Sequence, residues 1–568
     1  MADLDCDAVI VGSGPAGSTV ADVLCTAGWA VIVLEKGRNH LLSLEAPFEP
    51  LGHFSNDEVK FVERHFLGPD PITEPRAYRR SVDDGEDLLV GDCHAIPSTV
   101  GGGGVHADAK LPRFREVDFA LRSTLGPVDG ADVVDWPIGY DDLEPYYTAA
   151  EYGVGVAGEE TNPFAAWRSA PFPMPPGADM YGAVLSSAAA TSLGYHPYRA
   201  PTGVNSVPYD GRPACTNCGF CGMHGCAIEA KGEPVALLRR ALRTGRCEVR
   251  PESYVIGITR DASGRRATGV RYLDASRAEH EVRARQVVLA GGAFETPRLL
   301  LLDDVANSSG QVGRNLMFHF QTLSVGGFPF PLWGDRGRAV THAHDDFIDG
   351  DARARAAASD AGLPWIRGGL VEHGSAAGPI TEARSYGPGP HHAAAMRDSS
   401  LRRRLWVFTL QAEDLAQPTN TIDLHPTGRD AWGRPIGRIT YRPHQHELVT
   451  SAHYGPILEA ILREAGAEWA FTTTTPPQGT VEQIRGHGLG LAPASYHIMG
   501  TARMGADHAR SVVDPTGRCW DVEGLSIADS SIFATSAGYN PTLTICALAH
   551  RLASHLADLP PPPLPTGR

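Results

Sequence analysis

The chain has no run of about 18 consecutive apolar residues, the length a helix needs to cross a membrane, so no membrane span is expected. Its opening, MADLDCDAVIV, has no basic stretch ahead of an apolar one and no small-residue cleavage pattern. A secretory signal is therefore not expected, and a cytoplasmic location is. Positive charge is in short supply: 50 Lys and Arg stand against 66 Asp and Glu, a net charge of −16. Such a surface repels nucleic acid and anionic lipid, and both are excluded as partners. Ten cysteines in 568 residues are too few for a disulfide framework. Cys6, Cys25, Cys93, Cys247, Cys519 and Cys546 are scattered and read as reduced thiols, mostly structural. No long internal repeat is seen beyond two glycine turns. What remains is an ordinary globular composition, 42% hydrophobic with a mean hydropathy of −0.18. The chain is too long for one core, so two or more domains are expected.

The stretch DAVIVGSGPAGSTVADVLCTAGWAVIVLEKG, residues 7–37, carries the strongest local signal. Ala8–Val11 is an apolar run of the kind that forms a strand buried on both faces. Gly12, Gly14 and Gly17 follow at G-x-G-x-x-G spacing, a small-residue helix runs on to about Ala27, and Ala30–Leu34 is a second apolar run ending in Glu35. Gly12 suits the tight strand-to-helix turn, Gly14 the close approach of a pyrophosphate, and Gly17 the packing of helix on strand. The helix N-terminus offers free N–H groups and a positive dipole end to phosphates. Glu35 is placed to accept hydrogen bonds from a ribose diol. Strand, helix, strand and terminal acid in register define a dinucleotide site.

Further along, residues 38–90 are polar and turn-rich, and Ser98–Phe119 holds four consecutive glycines, which predict a backbone-lined loop. Residues 130–210 read as loops and short helices. GEPVALLRRALRTG has the spacing of an amphipathic helix, and Cys247–Asp274 alternates like two or three strands with a turn at Asp261–Arg265. Glu281–Leu302 repeats the opening pattern of strand, glycine turn and helix. Strand-like alternation returns at Arg403–Gln411 and Asn420–Leu424, within a stretch, 320–480, read as a substrate domain with an antiparallel sheet. The tail Leu559–Arg568 is expected to be disordered.

Four cysteines form a cluster, Cys215, Cys218, Cys221 and Cys226, with Gly219, Gly222 and Gly225 between them. C-x-x-C turns let sulfurs converge on one centre, as in iron–sulfur and zinc sites. Reduced thiols and local disulfides are the other readings, and the residues alone leave the choice open.

Five motifs together resemble the glucose–methanol–choline (GMC) oxidoreductase family: GSGPAG, VGGGGVH, GGAFETPRLL, VGRNL (Val312–Leu316) and the C-terminal segment Ser495–Leu556, with HIMGTARMG and GYNPTLTI. The resemblance spans almost the whole chain. It implies an α/β fold: a Rossmann-like FAD-binding domain from residues 1–45, 90–120, 215–319 and 490–558, interleaved with an α+β substrate domain from 121–214 and 320–489, and a tail at 559–568. It implies FAD in contact with Gly12, Gly14, Pro15, Ala16, Gly17, Glu35 and Lys36. The loop Ser98–Gly104, with Val100, Gly101, Gly102 and Gly103, would lie beside the flavin. Val255 would meet the adenine, Ala290 and Gly291 the second glycine turn's share, Asp529 and Ser530 the pyrophosphate and ribityl chain, and Asn540, Pro541 and Thr542 the isoalloxazine. His106 falls where some members bond histidine covalently to the flavin, which leaves that link open. Cluster-bearing dehydrogenases of the family carry a comparable Cys-rich loop, so an iron–sulfur cluster and an electron-acceptor protein are open as well.

The resemblance makes His497 the catalytic histidine and Asn540 its partner. Oxidising an alcohol carbon moves a hydride to the flavin while the hydroxyl proton leaves; an imidazole can take that proton near neutral pH, and an amide can donate a hydrogen bond to the developing alkoxide. Three departures from the pattern stand out: Ala502 where the family has Cys, Phe318 where it has an acid, and no Ser-Gly ending after GGAFETPRLL. The expected activity is FAD-dependent oxidation of a CH–OH group to a carbonyl. A sugar or sugar-like polyol is the expected substrate, an amino sugar or glycoside included, with His342, His344, Asp345, Asp346, Glu372 and His373 as candidate hydroxyl contacts. A steroid, long-chain alcohol or choline is the rival substrate class, and an electron-transfer flavoprotein subunit the rival of another kind. The sequence leaves the oligomeric state and the choice between oxygen and another electron acceptor open.

Overall fold

The computed structural model describes residues 4–39, 72–85, 87–91, 93, 96–219, 221, 225–226, 228–375, 389–399, 403–475 and 495–565. Much of the turn-rich stretch 38–90 and the end of the tail, 566–568, lie outside the described residues.

β1 (Cys6–Val11), α1 (Pro15–Thr26) and β2 (Val31–Leu34) form the expected unit. Ala8, Val9 and Ile10 are fully buried and all of Val31–Leu34 is buried, which is why these runs alternate so little. β1 lies parallel to β2, with Ala8 opposite Val31, and parallel on its other side to Glu279–Leu289. Cys247–Arg250 extends the sheet beyond β2, and Leu525–Ile527 pairs in parallel with the end of Glu279–Leu289. Four distant stretches therefore build one parallel sheet. Tyr254–Arg260 and Ala267–Leu273 continue it as an antiparallel ribbon, with the turn closed by the Gly264 amide on Asp261. The helices α1, Glu233–Arg243 and Thr542–Leu556 pack together over this sheet.

A second, antiparallel sheet has six strands in the order Trp469–Thr475, Phe320–Gly327, Leu405–Ala412, Gly369–Ser375, Val340–His344 and Tyr198–Arg199. Gln445–Glu464 and Tyr181–Ser192 back it. A third sheet of four strands joins Arg76–Arg79 and Leu89–Gly91 to Thr421–Arg429 and Pro435–Thr440, pairing residues more than 300 apart in sequence. The glycine run differs from expectation. Gly102–Val105 is a 3₁₀ turn, entered through Gly101 at φ +89°, a left-handed angle open to glycine, so backbone freedom here yields a tight turn.

Several histidines are buried and uncharged. His344 Nδ1 lies 2.8 Å from His373 Nε2, and His373 Nδ1 lies 2.9 Å from Ser186 Oγ. Burial pushes His344, His319 and His550 down to about 4. A folded-state pKa below the unfolded value contributes stability above the unfolded value, and that stability is lost as pH falls. These three histidines should therefore take stability away as pH falls from about 6.5 to about 4. Asp22, Asp118 and Glu229, which burial raises to about 6, make an opposing contribution. A His550→Gln variant should accordingly show a urea midpoint that falls less across that window than the wild type's.

Candidate active site

A cavity of about 710 Å³ is lined by both ends of the chain and by the second sheet. At β1 the Gly12 amide donates to the Leu34 carbonyl, 2.8 Å. Gly12 sits at φ +103°, and a Cβ there would lie 2.4 Å from the Ala290 carbonyl oxygen; a Cβ on Gly17 would lie 1.9 Å from the Gly12 oxygen. The two glycine turns and the first helix are thus in backbone contact. α1 starts at Pro15, with no side-chain cap and no acid in its first turn, and Gly14, Pro15 and Ala16 open onto the cavity. A Cβ on Gly102 would stand 2.9 Å from the Gly14 Cα, so the two glycine-rich loops meet edge to edge. Bare N–H groups, a positive helix end and a side-chain-free wall suit a pyrophosphate.

Glu35 lines the same cavity, only 5% exposed, and its carboxylate accepts from Ser13 N (3.0 Å), Ser13 Oγ (2.6 Å) and Gly37 N (2.9 Å). It is held rigidly where a ribose diol would meet it. Val255 and Ser253 lie alongside, as do Ala290 and Gly291. Asp529 lines the cavity with its carboxylate already engaged: one oxygen takes Gly292 N (2.9 Å) and Thr296 Oγ1 (2.6 Å), the other Ser531 N (2.9 Å) and Ser531 Oγ (2.6 Å). It acts as a clamp between two turns. Ser530, Pro541, Thr542, Gly103 and His106 are at the wall. Gly17, Val100 and Gly101 are not: Gly17 faces β1, Val100 is fully buried, and Gly101 donates to Ser13 Oγ. Lys36 lines the wall but is tied down by Glu74 and Glu295.

At the other end His497 and Asn540 come together. Met317 and Met499 pair in antiparallel fashion, with amide-to-carbonyl distances of 3.0 and 2.9 Å, and this places His319 opposite His497. Ser495 Oγ accepts from both backbone amides, 3.1 and 3.3 Å. His497 Nδ1 lies 2.8 Å from His319 Nδ1, and Asn540 Nδ2 lies 3.4 Å from His497 Nε2. Burial, then His319 and Lys110, hold His497 well below the ordinary imidazole range, so its ring is uncharged. Phe318, where an acid is usual, donates its amide to Asp414, which also takes the Tyr441 hydroxyl at 3.0 Å. Asp414 lies in the loop that follows the strand Leu405–Ala412. Ala502 is fully buried among apolar residues, where no thiol is required.

Lys110, Gln321, Thr409, Gln411 and Glu372 complete the wall. Lys110 Nζ bridges Glu372 (2.6 Å) and Asp108 (3.1 Å), and Gln321 Nε2 donates to Gln411 Oε1 at 3.0 Å. Of the six polar residues suggested as hydroxyl contacts, Glu372 alone lines the cavity. His344 and His373 are in the buried pair above. Asp345 accepts from Tyr198, Asn162 and Tyr539, Asp346 pairs with His196, and His342 bonds Thr341, so the core or the opposite surface has claimed them.

None of the ten cysteines forms a disulfide, and among the described residues no three His, Cys, Asp or Glu side chains gather as a metal site requires. Cys218 is exposed, and Cys215 Sγ takes the Asn217 amide at 3.3 Å. Burial pushes the Cys221 and Cys215 thiols up.

A dinucleotide cradle opening onto a neutral histidine and an amide is the layout of a dinucleotide-dependent oxidoreductase. The comparisons agree: profiles described as GMC oxidoreductase match residues 187–321 and 416–549, and one described as FAD binding domain matches 5–43. The chain is 30% identical to the fructose dehydrogenase large subunit of Gluconobacter japonicus, over 98% of each chain. It is also 30% identical to 6'''-hydroxyparomomycin C oxidase of Streptomyces lividus, over 98% of this chain and 93% of that one. A formate oxidase variant of Aspergillus oryzae superposes with a TM-score of 0.65 at 15% identity, covering 97% of this chain and 98% of that one. The chain belongs to the GMC oxidoreductase family and is an FAD-dependent enzyme that oxidises alcohols. Among the described residues no helix is long and apolar enough to cross a membrane.

Proposed function

We propose that the enzyme oxidises a CH–OH group of a sugar or sugar-like polyol, with His497 as base and Asn540 as its hydrogen-bonding partner. The observation that carries this is the polar wall beside the two residues. Gln321, Gln411, Thr409, Lys110 and Glu372 present amide, hydroxyl and charged groups whose remaining hydrogen-bonding capacity, the partnerless Glu372 Oε1 included, a hydrocarbon substrate could not satisfy. The two relatives named act, by their names, on a sugar and on an aminoglycoside, one as dehydrogenase and one as oxidase. When bound, FAD supplies the hydride acceptor. The cradle of Gly12, Gly14 and Gly102 would hold its pyrophosphate and Glu35 its ribose. His497 Nε2 takes the hydroxyl proton, and the Asn540 amide can donate to the oxygen as charge builds on it. A reducing compartment suits ten cysteines that form no disulfide.

The test is anaerobic bleaching of the flavin by D-fructose, paromamine and paromomycin, with choline, 1-dodecanol and cholesterol for comparison. Bleaching by a sugar or amino sugar is expected; bleaching by the apolar alcohols or choline alone would overturn the assignment. Bleaching by none would favour an electron-transfer subunit. Reoxidation with and without oxygen then separates oxidase from dehydrogenase. Acid precipitation decides the His106 link, since yellow colour left in the supernatant rules the bond out.

A further inference from the structure

The geometry points to His319 as a positioning residue that dictates which ring nitrogen of His497 is bare. The inference rests on His497 being the base of the reading above. His319 Nε2 lies 3.0 Å from the Ser536 carbonyl oxygen. A carbonyl can only accept, so that nitrogen carries the hydrogen. His319 is fully buried and uncharged, and a neutral imidazole has one N–H; its Nδ1 is therefore bare. This bare nitrogen faces His497 Nδ1 at 2.8 Å, and a hydrogen bond there requires the hydrogen on His497. His497 is neutral in turn, which leaves its Nε2 bare. That atom meets the Asn540 Nδ2 donor and the cavity. Every donor in the chain Asn540–His497–His319–Ser536 finds an acceptor in one direction, and the reverse direction would set a bare nitrogen against the Ser536 oxygen.

The far end of this chain is immobile. Glu413 accepts from Ser536 N (3.1 Å), Ser536 Oγ (2.8 Å) and Ala537 N (2.9 Å), and fully buried Arg367 pairs with Glu413 and Asp118. The Ser536 carbonyl therefore cannot turn away. Without His319, the resting His497 would have no acceptor for an Nδ1 hydrogen, and a hydrogen on Nε2 would face the substrate with no lone pair to receive its proton. With His319 in place, the substrate O–H bond breaks as the Nε2–H bond forms, and the Nδ1 hydrogen stays directed at His319.

The test has one arm without substrate. In ¹⁵N-histidine-labelled holoenzyme, with His497→Gln holoenzyme to identify the signal that disappears, the ring nitrogens report their hydrogens directly. A hydrogen on Nδ1 of His497 supports the inference, and a hydrogen on Nε2 overturns it, whether or not any His319 variant folds. The second arm compares two variants in anaerobic flavin reduction by D-fructose, or by whichever alcohol above reduces the wild type. His319→Asn keeps an acceptor near the place of Nδ1, whereas His319→Phe keeps the ring without one. In His319→Phe the limiting rate should fall about 30-fold or more with half-saturation changed less than about threefold, and His319→Asn should stay within about fivefold of wild type. Equal losses in both variants, or full rate in FAD-loaded His319→Phe, would overturn it. If no alcohol reduces the wild type, the functional reading fails while the tautomer measurement still decides this one.

Discussion

Replacing His497 with glutamine should slow anaerobic flavin reduction by about 10²–10⁴-fold, the range a positioned general base contributes. FAD should remain bound, because none of the cradle residues touches this side chain. The expectation follows from three features together. Met317 and Met499 pair so that His497 is held from the backbone, its ring is hydrogen-bonded on both sides, and it lines the cavity with Asn540. The pH dependence adds a second mark. His497 is held well below 6.5, so it remains a competent base as pH falls. The rate of flavin reduction should therefore show no acid limb near pH 6.5, where an unperturbed imidazole would protonate. Stopped-flow reduction between pH 5.5 and about 8 checks both statements. A glutamine variant within tenfold of wild type, or a clear limb near 6.5, would remove His497 from the role.

Replacing Gly12 with alanine should give protein that carries no FAD. A methyl group there would sit 2.4 Å from the Ala290 oxygen and 2.9 Å from its carbon, and both belong to backbone that cannot swing aside. The residue also adopts φ +103°, which a Cβ disfavours by about 1–2 kcal/mol on its own. The first effect pushes β1 and its helix away from the second glycine turn, so both walls of the pyrophosphate cradle move. Gly28→Ala separates the two effects. Gly28 shares a positive φ, +92°, but nothing lies within 4 Å of its added carbon. That variant should keep its FAD and lose about 1–2 kcal/mol of stability from strain alone. Flavin absorbance per protein and thermal unfolding read out both; an FAD-loaded Gly12→Ala would show that the two turns are not rigid.

The dinucleotide unit was legible because its determinants are local. An apolar run, three glycines at fixed spacing and a terminal acid lie within 30 residues, and each is needed for a steric or dipolar reason that sequence displays. Glu35 and Gly12 sit where that reasoning put them, and strand and helix ends fell close to Cys6–Val11 and Pro15–Thr26. Ser13 escaped notice, though it stands between the first two glycines, where a hydroxyl can reach the acid of the next strand.

Of the proposed catalytic end, the sequence by itself singled out the pair His497 and Asn540, through motif resemblance, and determined a family chemistry of alcohol oxidation. Only the tertiary structure decided how the pair is set. The motif NLMFH drew attention to Phe318, yet its last residue, His319, orders the base, because antiparallel pairing of Met317 with Met499 joins segments nearly 180 residues apart. Asp414, from the loop after Leu405–Ala412, likewise reaches across to take the backbone amide of Phe318. The tertiary structure also withdrew candidates. His344, His373 and Asp345 have spacing as good as that of Glu372, but burial had already assigned their hydrogen bonds to the core. Spacing along a chain reports which side chains share one strand or one turn. Which of them meet across sheets, and which face the cavity, depends on packing between stretches far apart in sequence, and no local pattern encodes that.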